Sequence, residues 1–416
     1  MESNCSRDEQ RRQLIRWLAG SPLLGLAGPS SLFAQEFGRR PDPMVWTSNT
    51  NIDDLIKSPA EAINVFDFEP VAFKNVPRAH FGYMASGIDD EVTLRANRQG
   101  FLKYQLRPRR LRDVSSIDTS ITLLGAKWKT PIIMAPTGGN KAYDPEGELA
   151  VCRAAKNGGY LNVLSSAAST SIEDAIEARQ GDVWYQLYAT SSLEVAKKVV
   201  TRVSRAGAPV LEITIDRNGG RNQETFFRLR KQDPRTCSTC HVNGPGTAQE
   251  RPNFDGIDMT NVKSMQSSNM TWDFIKQMRD TTKMKIVLKG ILTAEDALLC
   301  LKYGVDAIHV SNHGGRSEDG GRGAIECLPE IARVARGKIP IIFDSGVRRG
   351  SDIFKAMSLG ANAVCIGRPY LWGLGAFGQP GVEKVLQILK TEFEGIMQQM
   401  GASKVADIVP SMVIKG

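Results

Sequence analysis

Histidine is scarce in this sequence, four in 416 residues, and long hydrophobic runs are missing altogether. The most apolar N-terminal stretch, RRQLIRWLAGSPLLGLAG, is broken by Gly20, Pro22 and Gly25. It is too weak for a membrane-spanning helix, which needs about 20 consecutive apolar residues. Blocks of like charge are lacking, and the excess of base over acid is a mild +8. That speaks against a nucleic-acid partner and suits small anionic substrates equally well. Seven cysteines in a chain of this size do not make a disulfide framework. Cys152, Cys300 and Cys365 sit in apolar helix or strand patterns, where buried thiols are usual. A dinucleotide-binding fingerprint is also wanting: the turn after the first apolar run reads APTGGNKAYDPEG, not G-x-G-x-x-G.

What is present begins with an address. Arg11 and Arg12 precede the modest apolar run, and LFA ends at Ala34 in a small-residue site suited to cleavage. Residues 1–34 are similar to a twin-arginine export signal, which implies a periplasmic protein folded before crossing; without export the chain would be cytoplasmic. From Pro131 onward, eight short β-rich runs follow: 131–136, 160–166, 182–189, 209–216, 285–290, 306–312, 340–346 and 362–369. Helical patterns lie between them. Asp144-Pro145-Glu146 reads as one helix start, Thr293 with Asp296 as a second, and Ser351-Asp352 as a third. Eight strand-helix units predict an α/β fold closed as a (β/α)8 TIM barrel over 131–416. Residues 35–130 form an N-terminal helical extension, with DDEVTLRANRQGF as a helix, and 217–283 a long insertion after the fourth strand.

A barrel of this kind works at the C-terminal ends of its strands. Those positions hold Thr137, Ser165, Gln186 with Tyr188, Thr214 with Asp216, Lys289, Ser311 with His313, Asp344 with Gly346, and Gly367 with Arg368. One hydrogen-bonding residue at a strand end is ordinary; a full ring of them marks a site. Lys289 ends the run KIVLK, where a charge is costly unless an anionic group meets it. Glycines and arginines after the last two strands lie where barrels bind phosphate. An anionic ring, a polyol and a phosphate together describe flavin mononucleotide.

The motifs SNHGGR (311–316), KIVLKGILTAEDA (285–297), DSGVRRGSDIFKAMSLGA (344–361), IGRP (366–369) and YQLY (185–188) give the chain a resemblance. Over roughly residues 65–410 it resembles the FMN-dependent α-hydroxy acid oxidases and dehydrogenases. The family includes glycolate oxidase, lactate oxidase and the flavin domain of flavocytochrome lactate dehydrogenase. The resemblance implies oxidation of an L-2-hydroxy acid to the 2-oxo acid, with His313 as general base and Asp216 holding and charging its imidazole. It implies Arg316 and Arg221 as carboxylate clamps, Tyr83 and Tyr188 as further substrate contacts, and Lys289 beside the flavin. Pro136, Thr137, Gly138, Ser165, Gln186, Thr214 and Ser311 fall on flavin-contact positions, Asp344 on the ribityl chain, and Gly346, Arg348, Gly367 and Arg368 at the phosphate. Homotetramers are common in the family. Gly138 stands where alanine is common, and Ala167 where glycolate oxidases carry tryptophan. A lactate-like or longer substrate is therefore expected, and the acceptor can be a quinone, a cytochrome or dioxygen. Alternatives are an oxygen-using oxidase, a reduced-flavin isomerase, or a flavin-carrying sensor without turnover. No metal site is expected.

Cys237-Ser-Thr-Cys240-His241 fits the C-x-x-C-H pattern of covalent haem attachment. A haem c, a local disulfide and unpaired thiols are all open readings of it.

Overall fold

The computed structural model describes residues 55–217, 219–235 and 251–416. Residues 1–34, read above as resembling an export signal, and Cys237, Cys240 and His241 lie outside the described residues. Eight parallel strands close into a barrel, each neighbouring the next in sequence. They are β1 (Ile132–Met134), β2 (Leu161–Ser165), β3 (Trp184–Tyr188), β4 (Val210–Thr214), β5 (Lys285–Ile291), β6 (Ala307–Val310), β7 (Ile341–Phe343) and β8 (Ala363–Ile366). Each falls within one of the eight runs read from the sequence, apart from one residue of β5. The last strand pairs with the first, Val364 opposite Ile132, which closes the ring. The longest ladder joins β4 to β5, from Val210 opposite Lys285 to Thr214 opposite Lys289.

Side chains alternate along each strand, and the two faces carry different chemistry. Toward the helices stand residues such as Leu211, Ile213, Ile286 and Leu288. Inside the barrel, Leu161, Val163, Trp184, Val210, Val287, Ala307, Ile342 and Ala363 make an apolar lower layer. Leu123 and Trp128 of the hairpin Ile121–Leu123 and Ala126–Trp128 join that layer, so it is filled rather than open. Two to four residues further along the strands the interior turns polar: Ser165, Gln186, Thr214, Lys289, Ser311 and Asp344 are all buried there.

The outer helices are α1 (Gly147–Gly158), α2 (Ile172–Arg179), α3 (Leu193–Ala206), α4 (Trp272–Thr281), α5 (Ala294–Lys302), α6 (Ala324–Ala335), α7 (Gly350–Ser358) and α8 (Arg368–Met400). Ser171, Ser192 and Thr293 accept from main-chain amides of the first turns of α2, α3 and α5. α1 begins later than Asp144-Pro145-Glu146 suggests: Asp144 instead accepts from the Glu146 amide in a turn just before it. α8 breaks at Phe377 and Gly378, where φ is −145° and +63°. The stretch read as an insertion holds the helix Glu224–Lys231 and, at its end, the barrel's own α4.

The segment before the barrel contributes the helix Val92–Leu102, which lies against the loops after β6 and β7. Asn97 exchanges amide hydrogen bonds of 2.9 and 2.7 Å with Asn312. Arg98 pairs with Asp352 at 2.7 Å, both side chains buried. The approach is close: a Cβ on Gly315 would stand 2.6 Å from Leu94 Cα, and one on Gly346 2.4 Å from the Asn97 carbonyl oxygen. Both glycines have positive φ, +76° and +83°, so backbone geometry and crowding each demand glycine.

Candidate active site at the barrel mouth

The C-terminal ends of the strands open on a cavity of about 200 Å³. His313 stands on its wall with φ +59°, a left-handed conformation that non-glycine residues adopt at a cost. Three bonds hold the turn: Ser311 Oγ accepts from the His313 amide, Ser345 Oγ from Gly314, and Asn312 Oδ1 from Gly315, at 3.0, 3.0 and 3.1 Å.

The imidazole has a partner on each nitrogen. Nδ1 lies 2.9 Å from Asp216 Oδ1; Nε2 lies 3.2 Å from the Tyr188 hydroxyl and 3.4 Å from Arg217 Nη1. A carboxylate only accepts, so Nδ1 carries the proton and Nε2 presents its lone pair. Asp216 gains its place from Gly290, whose φ is +115° at an irregularity of β5; a Cβ there would stand 2.8 Å from Asp216 Cβ. Burial would raise the Asp216 pKa, but the neighbouring His313 and Lys289 hold it below the usual carboxylate range. For His313 the expected rise in basicity does not win. Burial, with Lys289 and Arg217 adding to it, outweighs Asp216 and lowers the pKa to about 3. The ring is thus a neutral base across the physiological range.

Lys289 is buried, donates to Ser311 Oγ at 2.6 Å and pairs with Asp344 at 3.3 Å. Despite burial, Asp344, Asp216 and Glu212 raise its pKa, so it stays an ammonium. Asp344 also lies 3.3 Å from His309 Nε2, and His309 Nδ1 lies 2.9 Å from Glu212 Oε2. A chain of charge therefore runs from the barrel interior at Glu212 up to Lys289. Burial depresses the His309 pKa, but Glu212 and then Cys365 and Asp344 raise it well above that of an ordinary imidazole.

The residues expected at a flavin divide into two groups. Pro136, Thr137, Gly138, Lys289, Asp344, Gly346, Arg348, Gly367 and Arg368 line the cavity. Ser165, Gln186, Thr214 and Ser311 sit inside the barrel, with Ser165 Oγ donating to Gln186 Oε1 at 2.6 Å. Gln186 Nε2 and Thr214 Oγ1 are buried without a hydrogen-bond partner among the described residues. Buried polar groups are seldom left so, and a planar ring edged with carbonyls and ring nitrogens would satisfy both. The residues present thus fit FMN. Arg368, on the cavity wall, also donates from its guanidinium to the carbonyls of Met84, Gly314 and Ser86 at 3.0, 2.9 and 3.0 Å. Here it clamps the His313 turn to residues 84–86.

Tyr83, Tyr188 and Arg316 line the cavity as expected, and Arg221 does not. The Arg316 guanidinium donates to the carbonyls of Tyr83 and Ser86, and its carbon lies 4.6 Å from the Tyr83 ring centre. The wall residue missed by reading the sequence is Arg217, next to Asp216 at the end of β4; Arg251 and Tyr143 were missed too. His309 and Glu212 were hidden inside runs taken as apolar strand. The signal for them was available, since inward alternation on β4 and β6 puts both in the barrel interior.

The model of the family described as FMN-dependent dehydrogenase matches residues 72–415. Glycolate oxidase 3 of Arabidopsis thaliana is 37% identical over 349 residues, covering 84% of this chain and 95% of its own. L-lactate oxidase of Lysinibacillus sphaericus (strain C3-41) is 36% identical over 378 residues, covering 89% and 98%. Among solved structures, a soluble mutant of the membrane-associated (S)-mandelate dehydrogenase from Pseudomonas putida is similar with a TM-score of 0.78 at 34% identity. That match covers 86% of this chain and 100% of that one.

Proposed function

The chain belongs to the FMN-dependent dehydrogenase family, and from that premise we propose how its residues divide the work. It is an FMN-dependent oxidoreductase acting on 2-hydroxy acids. FMN, when bound, would supply an acceptor for the two electrons that leave the substrate's α-carbon. His313 takes a proton on Nε2 as that carbon is oxidised. Asp216, 2.9 Å from Nδ1, fixes the tautomer and stabilises the imidazolium that forms. Tyr188, whose burial raises its pKa, keeps its proton and orients the substrate's oxygen. Arg316 and Tyr83 hold the carboxylate, with Arg221 assisting. Lys289 offers positive charge to the cofactor ring, and Arg348 with the amides after β7 and β8 would hold its phosphate.

The substrate class that this mouth suits best is an L-2-hydroxy acid of lactate size or longer. The support is Ala167, a small residue on the cavity wall beside Gly138. We further propose a dehydrogenase, exported to the periplasm and assembled as a homotetramer. The twin arginines support the export, and the family resemblance the assembly.

One observation carries the reading: a neutral imidazole with its lone pair on the cavity and a carboxylate behind it. Replacing the base tests it. His313→Gln should retain bound FMN yet slow flavin reduction by L-lactate by about 10²–10⁴-fold. Near-normal reduction in that variant, followed by anaerobic stopped-flow absorbance, rejects the assignment.

A further inference from the structure

The mouth holds more positive charge than one carboxylate calls for. Arg217, Arg251 and Arg316 line the cavity, and Arg221 adds its field to theirs. The two carboxylates nearby are committed: Asp216 to His313 at 2.9 Å, Asp344 to Lys289 and His309 at 3.3 Å each. Among the described residues, none forms an ion pair with any of the four arginines. The crowding of charge shifts its neighbours. Burial and then Arg217 push Arg221 down to about 10. Although burial opposes it, Arg316, Arg217, Arg221 and Arg251 pull Tyr83 down to about 7.

Arg217 is fixed in place rather than left to solvent. With its amide oriented to satisfy both contacts, Gln266 accepts from Arg217 Nη2 at 2.7 Å and donates to the Arg217 carbonyl at 2.8 Å. The guanidinium carbon also lies 5.3 Å from the centre of the Tyr188 ring. A planar guanidinium pairs best with a carboxylate, in bidentate fashion.

We propose that the substrate carries a second carboxylate: a short 2-hydroxydicarboxylic acid, with Arg316 on the carboxylate next to the reacting carbon and Arg217 and Arg251 on the distal one. Arg217 Nη1 lies only 3.4 Å from His313 Nε2, so the distal group is one or two carbons beyond the reacting centre. A malate-sized molecule meets that limit. This rests on the 2-hydroxy acid reading above and narrows its substrate.

The FMN-loaded enzyme is mixed anaerobically with L-malate or with L-2-hydroxybutyrate, which has the same number of carbons but one carboxylate. Separately, calorimetry compares the unreactive succinate with butyrate. L-malate should reduce the flavin with at least about tenfold higher efficiency, and succinate should bind at least about tenfold tighter, as for one well-placed charged hydrogen-bond pair. Arg251→Gln should collapse both ratios toward unity. Equal or inverted ratios in the native enzyme, or an Arg251→Gln effect that is the same for mono- and dicarboxylates, overturns the proposal. Reduction by monocarboxylates alone would do so while leaving the 2-hydroxy acid reading intact; reduction by no 2-hydroxy acid removes both. The native enzyme's two ratios stand even if the variant fails to fold.

Discussion

At the scale of single residues, His309 and Glu212 are the most exposed to a test of energetics. Both side chains are fully buried, 2.9 Å apart, and the His309 pKa is raised well above that of a free imidazole. A raised histidine binds its proton more tightly folded than unfolded. The stability this contributes is complete below about pH 6.5 and is lost as pH rises through the folded value. Removing the anion strands the cation: Glu212→Ala should cost about 3–5 kcal/mol, read as a fall in urea midpoint at pH 6. A double change, Glu212→Ala with His309→Ile, should recover most of it, because a well-packed apolar pair is no worse than a buried ion pair. Failure of the double variant to recover would mean the pair does more than balance its own charge. The two carboxylate-binding arginines make a second test. Arg316 follows His313 by three residues on one anchored turn, whereas Arg221 does not line the cavity. Arg316→Lys loses the planar fork and should lower both affinity and reduction rate; Arg221→Lys should mostly raise the substrate concentration required. A larger loss of reduction rate at Arg221 would reverse that division.

Among the elements, the helix Val92–Leu102 is the one whose importance is hardest to see from its sequence. It reads as an ordinary amphipathic helix ahead of the barrel, yet Leu94, Asn97 and Arg98 press on the turns that carry His313 and Gly346. Gly315→Ala introduces a Cβ 2.6 Å from Leu94 Cα at a φ of +76°. The turn must shift, and about 1 Å of misplacement at a catalytic group costs on the order of 10²-fold in rate. The variant should keep its FMN and melt cooperatively while reducing flavin about 10²-fold more slowly; an unchanged rate would show that the helix does not set the turn. The barrel strands were legible because each is a short run of β-branched and aromatic residues bounded by glycine, proline or aspartate. The strand-end groups were legible because a barrel's chemistry gathers there. Arg217 was not, because its role depends on which way the chain leaves β4, and a run such as DRNGGR leaves that open. Nor was Arg368's hold on three carbonyls, since Met84 and Ser86 are more than 280 residues away in sequence.

For the whole molecule the open question is where the electrons go after the flavin. Gly138 and Ala167 meet at the cavity wall, and a Cβ on Gly138 would stand 2.7 Å from Ala167 Cβ. This chain keeps that wall small, at a position proposed to lie beside the flavin. The proposed export points the same way. An enzyme exported folded, as proposed above, would have quinones and cytochromes for neighbours. Turnover with an artificial dye should therefore exceed turnover in air-saturated buffer by about tenfold or more at one substrate concentration. Flavin reduction, measured without any acceptor, should match the dye rate rather than the oxygen rate. Were the oxygen rate to equal the dye rate, the protein would be an oxidase. Gly138→Ala then separates the two explanations of a slow oxygen reaction. If the small wall is what disfavours dioxygen, adding the methyl group changes the ratio of oxygen to dye turnover; if the partner alone decides it, both rates move together.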